Sequence, residues 1–153
     1  MSNSLGHILK ELEWSGGLIR DLLIALPEDK LSDRPIPSAG TWAQQFRHIA
    51  RVKENYSAAL KRGKVEFGVD GCSFSGSMSR SALLEYAAEM DKFLSHCIKD
   101  AKPAIDWFGE SWSIERHLQA LVSHDVLHHG QLILYARAAK LKLPKSWEVW
   151  GET

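Results

Sequence analysis

The chain has 153 residues, enough for one domain with one hydrophobic core, and its 19 Lys and Arg balance its 19 Asp and Glu. A neutral chain whose densest basic run is Lys61-Arg62-Gly63-Lys64 lacks the phosphate-neutralising face that nucleic-acid binding requires. No apolar run approaches the roughly 18–20 residues of a membrane span, and "MSNSLGHILKELEW" carries no secretion-leader pattern, so neither a membrane nor export is expected.

The first helix is expected from about Ser4 to Leu26, with Leu5, Ile8, Leu12, Ile19, Leu22 and Leu23 recurring on one side. Gly16-Gly17 interrupts it at a cost of about 1 kcal/mol per glycine relative to alanine, which implies a bend or a close helix contact. Pro27 closes it, and "LPEDKLSDRPIPSAG" reads as a loop. The second helix opens on Thr41 and Gln44, which have the spacing of a capping box. Trp42, Phe46, Ile49, Tyr56 and Leu60 mark its buried stripe, and it ends near Gly63. "FGVDGCSFSGSMS" is rich in turn residues. A third helix follows from about Ser79 to Ala101, with Leu83, Ala87, Met90, Leu94 and Cys97 inward.

Pro103 and Gly109 mark another connection before a fourth helix from about Ser113 to Leu141. Its polar strip is narrow (Arg116, Gln119, Ser123, Gly130, Arg137), so neighbours are expected to cover it on most sides. No run sustains period-two alternation, and no sheet is expected. The fold class is therefore all-α, an up-and-down antiparallel four-helix bundle spanning 1–153 as one domain. The tail, with Trp147 and Trp150, should pack back on the bundle. Cys72 and Cys97 lack zinc or redox spacing and suggest a reduced, cytoplasmic setting, with a disulfide between them left open.

Seven histidines punctuate this pattern, three of them in "SHDVLHHGQL". At about 100° per residue, His117, Leu121, His124, His128, Gln131 and Tyr135 fall on one stripe inside the fourth helix's apolar arc. Imidazoles buried there need partners, since an unsatisfied polar group costs about 1–3 kcal/mol. Two readings stand: separately hydrogen-bonded core histidines, or one divalent ion shared by the i, i+4 pair His124 and His128. A third ligand would have to come from another helix, and His48 is the best-placed candidate. His7 and His96 fall off their apolar stripes and read as solvated. His129 points about 100° from His128, and His117 lies about 16 Å from it along the axis; both read as structural.

"HDVLH" also has the outline of the zincin helix, with Asp125 as general base and Glu148 as a third ligand. Asp is a methylene shorter than the glutamate this chemistry uses, and it points away from His124. A ferritin-like diiron site needs Glu-x-x-His pairs, which the chain lacks.

"LPEDKLSDRPIPSAGTWAQQFRHIARVKENY" and "HLQALVSHDVLHHGQLILYARAAKLKLP" together resemble the DinB/YfiT family of four-helix-bundle metalloproteins: a tryptophan near the second helix's start ahead of a histidine, then H-x-x-x-H-x-G-Q in the last helix. The resemblance implies His48, His124 and His128 as metal ligands, all three positions being intact. It also implies a broad chemistry, since characterised relatives include transferases and isomerases that use low-molecular-weight thiols.

Three neutral imidazoles leave an ion its full charge and an open position, at which a water or thiol is activated. Zinc or nickel suits the ligand type. The expected function is a metal-dependent enzyme on a small molecule, of the thiol S-transferase type or a hydrolase; the alternative is a non-catalytic metal-binding or interaction protein. Trp42, Gln45, Tyr56 and Gln131 are candidates for the surrounding pocket or for supporting the ligands. Gly130 is expected to admit a close neighbour. Tyr56, Asp125 and His117 are the residue types available as a base, and a homodimer is expected.

Overall fold

The structure, a computed structural model, describes residues 3–68 and 72–151. Residues 69–71 of the turn-rich stretch lie outside the described residues, as do 1–2 and 152–153. Four helices carry the fold: α1 (Asn3–Ala25), α2 (Trp42–Arg62), α3 (Arg80–Lys99) and α4 (Ile114–Ala139). Short 3₁₀ turns follow α1 at Glu28–Lys30 and α4 at Lys145–Trp150.

Local chemistry sets the boundaries. The Thr41 hydroxyl accepts from the Gln44 amide at 3.2 Å while the Gln44 side chain accepts from the Thr41 amide at 2.8 Å, completing the expected capping box. Ser79 and Ser113 cap α3 and α4 through their hydroxyls. Gly63, at φ 80°, closes α2 in the left-handed conformation that costs glycine nothing.

Among the described residues, the core falls into two large stacked layers and a small cluster of Ala50, Tyr86 and Met90. At one end Leu18, Leu22 and Leu26 of the α1 arm meet Trp42 and Phe46 of α2, Leu83 of α3, and Leu132 and Tyr135 of α4. At the other end Leu5 and Leu12 meet Val52, Tyr56 and Leu60, then Leu94 and Cys97, then Leu118 and Leu121. The all-α four-helix bundle is as expected, but its direction differs at one connection. As numbers rise along α2 they rise along α3 beside it: Phe46 and Leu83 share one core layer, Lys53 pairs with Asp91, and Leu60 and Cys97 share the other layer. α2 and α3 are therefore parallel and α1 and α4 run the opposite way, an up-down-down-up order in place of strict up-and-down. The residues between Gly63 and Ser79 are numerous enough to return along the bundle's length.

A second correction is a small sheet. Ile105–Trp107 (β1) and Glu110–Trp112 (β2) form an antiparallel hairpin, turning through Phe108 at φ 52° and Gly109 at φ 96°. Strands of three residues are too short to display alternation, so the pattern search that finds helices passes over them. The hairpin seats Ile105 in the core and stacks Trp107 on Trp112 with ring centroids 4.1 Å apart.

α1 runs unbroken through Gly16-Gly17; the close contact occurs at Gly16, where an added Cβ would meet the Lys53 ammonium and the Arg20 guanidinium at 3.5 Å. Gly130, expected to admit a neighbour, is exposed, and a Cβ placed there would find nothing within 4 Å. α4 is also less covered than expected, since Leu127 and Leu134 are 60% and 54% exposed. The tail docks as expected through Trp147, fully buried, whose indole N–H donates to the Leu18 carbonyl at 2.8 Å. Both cysteines are free thiols, Cys97 buried and Cys72 exposed.

Candidate metal centre

α2 and α4 lie side by side, and that pairing brings His48 to His124 and His128. The i, i+4 spacing on α4 sets His124 Nε2 and His128 Nε2 3.1 Å apart. The His48 ring centroid lies 5.5 Å from that of His124 and 5.0 Å from that of His128. One ligand atom from each of the three lies within 4.8 Å of the others. Burial grades across the cluster: His128 is buried, His124 partly so and His48 exposed, leaving the α2 side open to solvent.

These residues fit a divalent ion. Two nitrogens about 2.0–2.1 Å from a tetrahedral zinc stand about 3.3 Å apart, close to the separation of the α4 pair. His48, on the exposed side, has the freedom to close the remaining gap. Two bare imidazole nitrogens facing each other repel unless one carries a proton or both share a cation. Burial, reinforced by the neighbouring His124 and His48, pulls the His128 pKa down to about 4, which keeps its ring neutral and its lone pair available. Burial, with His124 and Arg47 beside it, lowers that of His48 too. On the far side of the pair, His124 Nδ1, His128 Nδ1 and Asp125 Oδ1 are buried without hydrogen-bond partners.

The other histidines separate cleanly from this cluster. His117 is fully buried and satisfied at both nitrogens: Trp107 Nε1 donates to its Nδ1 at 2.9 Å, and its Nε2–H donates to the Tyr56 carbonyl at 2.9 Å. His129 donates from Nε2 to the Ser15 carbonyl at 3.0 Å. His7 and His96 are exposed.

The expected pocket residues are dispersed. The Gln45 amide donates to the Tyr135 hydroxyl at 3.0 Å, which in turn donates to the Gly40 carbonyl at 2.7 Å. Trp42 is fully buried against Phe46 and Tyr135, with its indole nitrogen unpartnered. Tyr56 packs on His117 and Trp107, about 12 Å along α2 from His48. Gln131 is half-buried one turn beyond His128. Glu148 is exposed in the tail, outside the histidine cluster, and Asp125 faces α1 through Ser15, on the side away from His48. Ser15 carries no signal in the sequence, since a serine on an apolar helix face gives no sign of which residue it will meet.

A helical bundle with three histidines converging from two helices is the class that fold and site define. The DinB family profile matches residues 1–144, and the chain belongs to the DinB family. Among solved structures it is similar to a DinB-like protein, YjoA, from Bacillus subtilis, at 18% identity and a TM-score of 0.71, over 92% of this chain and 96% of that one. A DinB-like protein from Bacillus cereus matches at 17% identity and a TM-score of 0.70, over 90% of this chain and 93% of that one. At such identities these likenesses speak for the fold. No curated protein gives a significant match.

Proposed function

We propose that this DinB-family chain is a metal-dependent enzyme acting on a small molecule, its divalent ion, zinc or nickel, held by His48, His124 and His128. The observation that carries the reading is the convergence itself: three imidazoles from two helices, two of them with depressed basicity, around a point open to solvent on one side. A bound ion with three neutral ligands supplies a Lewis acid that lowers the proton affinity of a thiol or water at its open position. The residues' own part is to hold that charge. Burial keeps the His128 ring neutral, the α4 backbone fixes the spacing of the pair, and exposed His48 faces the side from which a substrate arrives. Thiol transfer to an electrophile is the most concrete version, with hydrolysis its competitor.

Protein purified without a nickel column should carry about one divalent ion per chain by elemental analysis, and His48→Ala and His124→Ala should lose it. Glu148→Ala should keep it. A panel of low-molecular-weight thiols with electrophiles, run beside His124→Ala, then tests catalysis; wild-type turnover no faster than the variant's leaves a metal-binding protein without this activity.

A further inference from the structure

Directly behind the histidine pair sits an acid with almost nothing to meet it. Asp125 is fully buried in α4. Its Oδ2 accepts a 3.0 Å hydrogen bond from the Ser15 hydroxyl of α1, and its Oδ1 has no hydrogen-bond partner. Facing that oxygen at 3.7 Å is His124 Nδ1, which is buried and unpartnered as well. An acceptor and a nitrogen able to carry a proton thus stand just beyond hydrogen-bond range of each other. A carboxylate buried this deeply with one hydrogen bond is strongly unfavourable unless a positive charge compensates it nearby.

Ligand chemistry supplies the reason for the pairing. The Nε2 of His124 is turned toward His128. A neutral imidazole that ligates through Nε2 carries its proton on Nδ1, and that N–H needs an acceptor to fix tautomer and ring orientation. We propose that Asp125 is the positioning residue of the metal centre: its Oδ1 accepts the Nδ1–H of His124, and its charge offsets part of the ion's. Ser15 anchors the arrangement from α1, its hydroxyl holding Asp125 and its carbonyl receiving the His129 N–H at 3.0 Å. Held toward α1, the carboxylate stands away from the open side and serves the ligand rather than the substrate. The inference rests on the three-histidine metal reading above.

The test is zinc affinity by chelator competition at neutral pH, with nickel in parallel, for wild type, Asp125→Asn and His48→Ala, beside the Tm of each metal-stripped protein. Wild type should bind one ion, and Asp125→Asn should bind it about 10–100-fold more weakly. The metal-stripped Tm of Asp125→Asn should equal or exceed that of wild type, because the substitution removes a buried charge with an unfilled acceptor. A purely structural role gives the reverse, a lower Tm with affinity unchanged, and overturns the proposal. If Asp125→Asn does not fold, ¹⁵N imidazole spectra of zinc-loaded wild type decide: a slowly exchanging proton on His124 Nδ1 supports the proposal, and a metallated Nδ1 overturns it. Wild type that binds neither ion, or binds no better than His48→Ala, overturns the metal reading and this proposal together, whereas normal wild-type binding retained in Asp125→Asn overturns only the second.

Discussion

Glu54 shows how this chain satisfies a buried acid when it has donors to spare. Burial works against its charge, but the Tyr86 hydroxyl at 2.6 Å, Arg51 at 2.8 Å and the Ser73 amide at 3.2 Å prevail, holding its pKa below the usual carboxylate value. The same contact, with burial as the larger cause, pushes the Tyr86 phenol up. A carboxyl depressed in the folded state binds protons more readily when unfolded, so its stabilisation is present above the unfolded value near 4.5 and is lost as pH falls through the folded one. Glu54→Gln should cost about 1–3 kcal/mol at neutral pH and flatten the acid limb below that value, measured by urea unfolding across pH. His117 gives the opposite residue type the same sign. Burial lowers its pKa from 6.5, so it stabilises the fold above that value and the contribution is lost as pH falls below it. With chelator present, His117→Gln should lower the urea midpoint at pH 7 and reduce the decline between pH 7 and 5; an unchanged decline would assign that pH dependence to other groups.

At the scale of elements, the caps carry separable amounts of stability. Thr41→Ala removes half of a reciprocal capping box and should cost about 1 kcal/mol, read as a drop in denaturation midpoint with an unchanged m-value. Lys140 ends α4 at φ 54°, a conformation that costs an L side chain about 1 kcal/mol, while its amide still bonds to the Ala136 and Arg137 carbonyls. Lys140→Gly should therefore stabilise by about 0.5–1 kcal/mol, the relief of that strain exceeding the extra entropy glycine adds to the unfolded chain. The helices were legible from the sequence because each combines a 3.6-residue apolar period with a local start or stop signal. The hairpin was not, since Trp107 and Trp112 stack only after the turn at Phe108-Gly109 forms.

At the scale of the whole molecule, a metal bound only by the folded state should stabilise it. Adding zinc to metal-stripped protein at 100 times its Kd should contribute about 2.7 kcal/mol, seen as a rise in Tm that His48→Ala abolishes. The coupling would be global, because the three histidines proposed as ligands come from two helices that must be docked before an ion could have three partners. Among the described residues, no helix is long and apolar enough to cross a membrane.

The sequence by itself determined much of what depends on neighbours along one helix: four helices and their approximate ends, the capping box of the second, most of the inward stripes, and the pairing of His124 with His128 one turn apart. It nominated His48 but held no information on how far α2 would stand from α4. Only the tertiary structure decided that His48 joins the pair, that α2 and α3 run parallel, and that Asp125 lies behind His124 under Ser15. The physical reason is separation along the chain: contacts between residues 15, 48 and 124 follow from how whole helices dock, through the summed packing of many side chains, and no local period or motif encodes that sum.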